Sequence, residues 1–133
     1  MDVESGLEPN LDQFLLARIA EDKRVATDAA GANGREDWTP ADVPGDCGLA
    51  GAAAELVARY DPARVLAECA AKRKLVMACR DARPDLAFLG TRPSGMADFP
   101  LSPSGPHQLA AFALAVLAMP YADHPDYRDE WRP

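Results

Sequence analysis

Apolar side chains recur at helical spacing in four stretches of the chain. In the first, Leu11, Phe14, Leu15, Ile19 and Val25 or Ala26 fall on one face, while Asp12, Arg18, Glu21, Asp22, Lys23 and Arg24 take the other. Asn10 with Gln13 three residues on has capping-box spacing, and Gly31-Ala32-Asn33-Gly34 supplies a stop, so the pattern predicts a helix over 11–30. Residues 48–60 are rich in Ala and carry Leu49, Leu56, Val57 and Tyr60, which predicts a second helix. Asp61-Pro62 pairs an N-cap side chain with a first-turn proline and opens a third helix that runs to about 82, ahead of Pro84. Pro106 can start the last helix, 107–118, with Leu109, Phe112, Ala113, Val116 and Leu117 apolar and Pro120 ending it.

The segments between these stretches break the period. Residues 1–9 are a polar lead. Residues 31–47 form a loop whose one large apolar side chain, Trp38, is expected to pack on the first helix and pin the loop. Residues 84–106 hold five Pro and three Gly; Leu86–Thr91 suits a short strand or a packed irregular loop, and 94–106 is the expected site of mobility. The chain ends in a tail, 120–133, with no period. Together these features predict one all-α domain over 1–133, with three to four helices, a long Pro/Gly-rich loop and a docked irregular C-terminal tail.

Composition narrows the function classes. Much of the 48% apolar content is Ala and only 7% is aromatic, so the core should be thin, and a helix-mediated homodimer is compatible with that. The net charge of −7 is uneven: 1–46 carry 4 basic and 11 acidic side chains, 47–92 carry 8 and 5, and 93–133 carry 2 and 5. An acidic whole argues against general nucleic-acid or membrane-surface binding, while the basic middle keeps a local version open. Three cysteines (Cys47, Cys69, Cys79) give no secreted disulfide framework. No apolar run approaches the ~20 residues of a membrane span, and the acidic Met1-Asp2-Val3-Glu4 start is unlike a signal peptide. A cytoplasmic protein is the expectation.

Candidate chemistry is sparse. On the third helix Arg73 has Cys69, Ala70, Val76 and Met77 as its neighbours one turn away, so it is expected to project from the buried side. A buried guanidinium needs a carboxylate. The reading is a clamp in which Arg73, helped by Arg80, holds Asp123 or Asp126, with Tyr121, Tyr127 and Trp131 lying in a groove between the third and fourth helices and His124, between two carboxylates, capping or packing locally or acting as a pH-sensitive group. The alternative is that Arg73 snorkels to solvent. Arg64, Lys72, Lys74, Arg80 and Arg83 make the third helix locally basic and are the residues a nucleic-acid reading would use. They point in several directions and lack interleaved aromatics for base stacking. Cys69, Cys79, His107 and His124 lack metal-site spacing, so no metal and no cofactor is expected. Nothing forms a nucleophile elbow or a phosphate loop, which leaves an enzyme as the weakest option.

The tail Pro120-Tyr121-Ala122-Asp123-His124-Pro125-Asp126-Tyr127-Arg128-Asp129-Glu130-Trp131, the run Asp61-Pro62-Ala63-Arg64-Val65-Leu66-Ala67-Glu68 with Ala71-Lys72-Arg73, and Phe14-Leu15-x-Ala17-Arg18-x-x-Glu21-Asp22 resemble a domain-of-unknown-function family of small actinobacterial and actinophage proteins. The resemblance implies no activity. Members of that family often carry a Cys-rich insert after the third helix and a Pro-Cys pair before the last one, which suggests a zinc knuckle; this chain has only Cys79 near the first place and Ser104-Gly105-Pro106-His107 near the second. The functional expectation is a small accessory protein, linked to phage or prophage, that binds an unidentified protein partner through its acidic first helix or the 94–106 loop. A nucleic-acid-associated protein is the alternative.

Overall fold

A computed structural model describes residues 10–43, 51–91 and 105–133. Among the described residues are four α-helices, α1 (Leu11–Asn33), α2 (Ala52–Arg59), α3 (Pro62–Asp81) and α4 (Pro106–Ala118), with short 3-10 turns at Pro40–Asp42, Leu86–Thr91, Met119–Tyr121 and Asp129–Trp131, and no strand. The fold is all-α. The Leu86–Thr91 stretch is a 3-10 turn, so it is neither a strand nor irregular. Residues 1–9, 44–50 and 92–104 lie outside the described residues, and with them Cys47, the polar lead and most of the 94–106 loop.

Local chemistry accounts for the helix ends. The Asn10 carbonyl accepts from the Phe14 N–H (2.9 Å), and the Gln13 side chain accepts from the Asn10 N–H (3.1 Å), which is the return half of a capping box. Helix α1 runs past Gly31 and ends at Asn33, because Gly34 is the glycine that adopts the left-handed conformation (φ 76°) needed to leave a helix. Asp61 caps α3: one carboxylate oxygen accepts from the Arg64 N–H (2.9 Å) and the other from the Trp38 N–H (3.0 Å). The same side chain that starts the helix thus also fastens the loop. At the other end of α3, Arg83 takes a left-handed turn (φ 59°). The imidazole of His107 donates from Nδ1 to the carbonyls of Ala82 (2.8 Å) and Arg83 (3.0 Å), satisfying acceptors that the helix leaves open.

By contacts the chain forms two compact units, Met1–Arg18 with Arg73–Pro133, and Ile19–Lys72, so that α1 and α3 each contribute to both. In the first, the buried side chains include Leu11, Phe14 and Leu15 of α1, Val76 and Cys79 of α3, Leu89, the α4 face Ala110, Ala111, Leu114, Ala115 and Ala118, and Trp131. In the second, Val43, Ala54 and Ala58 are buried together with Trp38 and Val57 packed on them. Trp38 therefore packs on α2 and its own loop as well as facing α1 residues across a cleft described below.

The buried stripe of α3 is Pro62, Val65, Cys69, Lys72, Val76 and Cys79, alternating three- and four-residue steps. Arg73 is exposed, and so is Ala70. The expectation that Arg73 projects from the buried side is wrong by one position: the residue on the stripe is Lys72, which is half-buried. The error comes from counting every apolar residue of the helix as inward, when small Ala70 lies outside the centre of the stripe.

Candidate functional site

The tail is ordered by a ring cluster on α1. Phe14, 1% exposed, is its hub. The rings of Trp131 (5.1 Å), His124 (5.5 Å), Tyr127 (6.0 Å) and Tyr121 (6.4 Å) surround it, mostly edge-to-face. Arg18, one helical turn on, lies over the Phe14 ring (5.3 Å) and donates to Nε2 of His124. Short turns set the spacing: Tyr121 O accepts from the His124 N–H, His124 O from the Tyr127 N–H, and Arg128 O from the Trp131 N–H, each at 3.0 Å. Burial pushes the Tyr127 phenol up. Its hydroxyl is buried with no hydrogen-bond partner among the described residues.

This arrangement corrects the clamp expected from the sequence. Tyr121, His124, Tyr127 and Trp131 do converge, but on Phe14 and Arg18 of α1, with Arg73 exposed and Arg80 beside its neighbour Asp81 (3.9 Å). Asp123 and Asp126 are exposed. The carboxylates face outward because the rings, not the charges, carry the burial. Phe14 and Trp131 are almost fully buried at its centre, so the cluster reads as structural.

The open feature lies in the Ile19–Lys72 unit. A cleft of about 380 Å³ is lined by Asp22, Val25, Ala26 and Ala29 of α1, by Trp38 and Tyr60, and by Pro62, Val65, Glu68, Cys69 and Lys72 of α3. Its floor is apolar, and its charged lining residues are two carboxylates and one ammonium. Trp38 is held by its backbone N–H to Asp61 and by its indole N–H to the Arg35 carbonyl (2.9 Å), while the Ala63 N–H donates to the Glu36 carbonyl (3.1 Å). Tyr60 follows α2 and is covered on one face by the Arg64 guanidinium (4.3 Å), which also pairs with Glu68 through Nε (2.9 Å). The Trp38 wall is thus fixed by hydrogen bonds outside the cleft, and Tyr60 by the stacked Arg64. Cys69, at 5% exposure, has its thiol pushed up by burial, with Asp22 adding to the shift. It is a small apolar floor residue and a poor nucleophile at neutral pH.

A family model covers residues 8–133 and is described as a family of unknown function (DUF6221). The chain belongs to that family. No curated protein and no solved structure matches this DUF6221 chain.

The other residues singled out in the sequence do not assemble. Arg64 is engaged by Glu68 and Tyr60, and Lys72 lines the cleft. At ~100° per residue, Arg64, Lys72, Lys74 and Arg80 spread around α3. Arg83 lies beyond the helix end. They form no single basic stripe. Among the described residues no group of three or more His, Cys, Asp or Glu could hold a metal ion, and no helix is long and apolar enough to cross a membrane. Sequence reasoning missed Val25, Tyr60, Pro62, Val65 and Glu68 as a set. The one signal in reach was the tight Tyr60-Asp61-Pro62 junction, which forces an aromatic ring to the start of α3.

Proposed function

We propose that this protein acts by binding a protein partner, and that the cleft in the Ile19–Lys72 unit receives an apolar side chain of that partner. The observation that supports this is the cleft itself: Ala26, Ala29, Val65 and Cys69 together with Trp38 and Tyr60, and the exposed Val25 on the same lining. Its 380 Å³ falls at the small end of the roughly 300–1,000 Å³ of ligand sites. That suits one or two side chains of a peptide or helix laid across α1 and α3, the helix-in-groove mode, in which an apolar anchor carries the affinity. The acidic half of α1 contributes Asp22 to the cleft, in keeping with the expectation that α1 supplies the surface. The link to phage or prophage proteins rests on the tail resemblance and belongs to the same reading, as does a cytoplasmic setting.

The test is selection from a displayed peptide library on the whole protein, followed by affinity measurement against Val25→Glu. Val25 is 55% exposed, so the variant keeps the fold and places a charge at the mouth of the cleft. Selected peptides should share an apolar anchor, shift the emission of Trp38, and bind Val25→Glu at least ~10-fold more weakly, equal to about 1.4 kcal/mol. Peptides that bind the variant as well as the parent overturn the reading.

A further inference from the structure

The two ends of the cleft differ in charge. Pro62 and Lys72 both line it from α3, and their separation along the helix sets the ends about 15 Å apart. At one end Lys72 and Asp22 stand together, of opposite sign, both within electrostatic reach of the Cys69 thiol. Trp38 marks the other end. Its N–H is held by Asp61, the residue before Pro62, and the Ala63 N–H holds the Glu36 carbonyl. Those bonds fix Glu36 and Asp37, the two residues before Trp38, beside the start of α3. Both are exposed, and neither side chain has a hydrogen bond or ion pair among the described residues.

The cations of the unit do not answer that edge. The described part of Ile19–Lys72 holds nine carboxylates and six cations. Arg24, Arg35 and Arg64 are each engaged by a carboxylate of the same unit: Asp28 (3.2 Å), Asp42 (3.8 Å) and Glu68 (2.9 Å). Lys23 and Lys72 belong to the end that holds Asp22, since both act on the Cys69 thiol. Among the described residues this leaves Glu36, Asp37 and Asp61 at the Trp38 end against Arg59.

We propose that the partner segment is basic on one side, with a lysine or arginine flanking its apolar anchor toward Trp38. The assignment rests on the cleft reading above and gives its occupant a chemistry and a direction. A lysine or arginine in that place lays its methylene stem along the Trp38 ring and keeps its charge in water beside Glu36 and Asp37. An acidic residue there meets like charge, so the edge that attracts one partner turns another away. At the other end Asp22 and Lys72 offset each other. The attraction therefore falls on one side of the anchor and orients the segment. Because the carboxylates are exposed, the attraction is modest and weakens with salt.

Fully randomised displayed peptides, selected on the whole protein at low salt, are the probe. Enriched sequences should pair an apolar anchor with Lys or Arg three or four residues to one side of it, the spacing of neighbours on a helix face. The most enriched peptide should bind Glu36→Gln/Asp37→Asn at least ~5-fold more weakly than the parent, and the difference should shrink in ~1 M salt. Replacing the peptide's basic residue by Glu should weaken binding to the parent more than to the double variant. Melting should be unchanged, because the bond at Glu36 is made by its backbone. Peptides that carry the apolar anchor and lose affinity to Val25→Glu, yet lack a basic flank or ignore Glu36→Gln/Asp37→Asn, overturn this proposal and leave the cleft reading standing. Peptides indifferent to Val25→Glu, or no enrichment at all, overturn both.

Discussion

The tail cluster and the cleft are built from the same materials and come to opposite ends. Each sets aromatic side chains beside an arginine that stacks on a ring: Tyr121, Tyr127 and Trp131 with Arg18 over Phe14 in one, Trp38 and Tyr60 with Arg64 over Tyr60 in the other. In the tail the rings meet a central Phe and close on it, leaving Trp131 2% exposed. In the cleft no ring occupies the middle. The floor is Ala, Val and Cys, and Trp38 is held to the side by Asp61 and by the Arg35 carbonyl. Whether aromatic residues make a core or a binding surface depends here on whether a side chain of matching size fills the space between them.

The largest test of that contrast is Phe14→Ala. Removing the hub should cost about 3–5 kcal/mol, lower the melting temperature and strip the tail of hydrogen-exchange protection; a tail that stays protected would mean that Phe14 is not its anchor. Next comes a matched pair. Arg18→Met removes the donor to His124 and the cation over Phe14 and should cost about 1–2 kcal/mol by denaturant melting, whereas Arg73→Met should stay within about 0.5 kcal/mol. Equal effects would erase the assignment of the tail to α1. A subtler variant, Tyr127→Phe, keeps the ring and deletes a buried hydroxyl that has no partner among the described residues. It should leave stability unchanged or raise it by up to about 1 kcal/mol, and a clear loss would assign the hydroxyl a bond.

The pH responses are smaller. The Thr39 backbone N–H (2.8 Å) and hydroxyl (3.0 Å) both donate to Asp42, and they hold its carboxyl below the ordinary value of 3.8. A depressed carboxyl lends stability that is present above the unfolded value and is lost as pH falls through the lower, folded one. Asp42→Asn should therefore flatten the acid limb of the stability curve just below that point. The buried thiols act at the other end. Cys69 and Cys79 are pushed up from 9.0 by burial, so the unfolded chain ionises first, and stability declines as pH rises past that value. Native protein should react slowly with a thiol reagent at neutral pH at both positions, and unfolding should release that reactivity.

Much of the fold was legible because it is local. Gln13 reaches back to the Asn10 N–H, Asp61 caps α3 with its own side chain, Pro62 and Pro106 start helices, and Gly34 ends one, all within a few residues of the feature they control. The stripe of α3 shows where legibility stopped. A helix of 20 residues carrying Ala, Cys, Val, Leu and Met on most sides has several apolar arcs, and burial falls on one of them only when a neighbouring element is in place. Reading Arg73 as inward was a choice among those arcs, and the structure picked the arc of Lys72.

By itself the sequence determined that the chain is helical, where its helices are punctuated, and that an aromatic-rich tail docks. Those properties follow from backbone preferences, capping and the cost of leaving four large rings in water. Only the tertiary structure decided that the rings gather on Phe14, that Trp38 and Tyr60 stand apart around an open cleft, and that one apolar arc of α4 is covered while the other is bare. Those outcomes depend on which surfaces meet across long stretches of chain. Burial of apolar area is non-directional, so the pattern of side chains alone leaves several pairings open, and shape complementarity between whole elements selects among them.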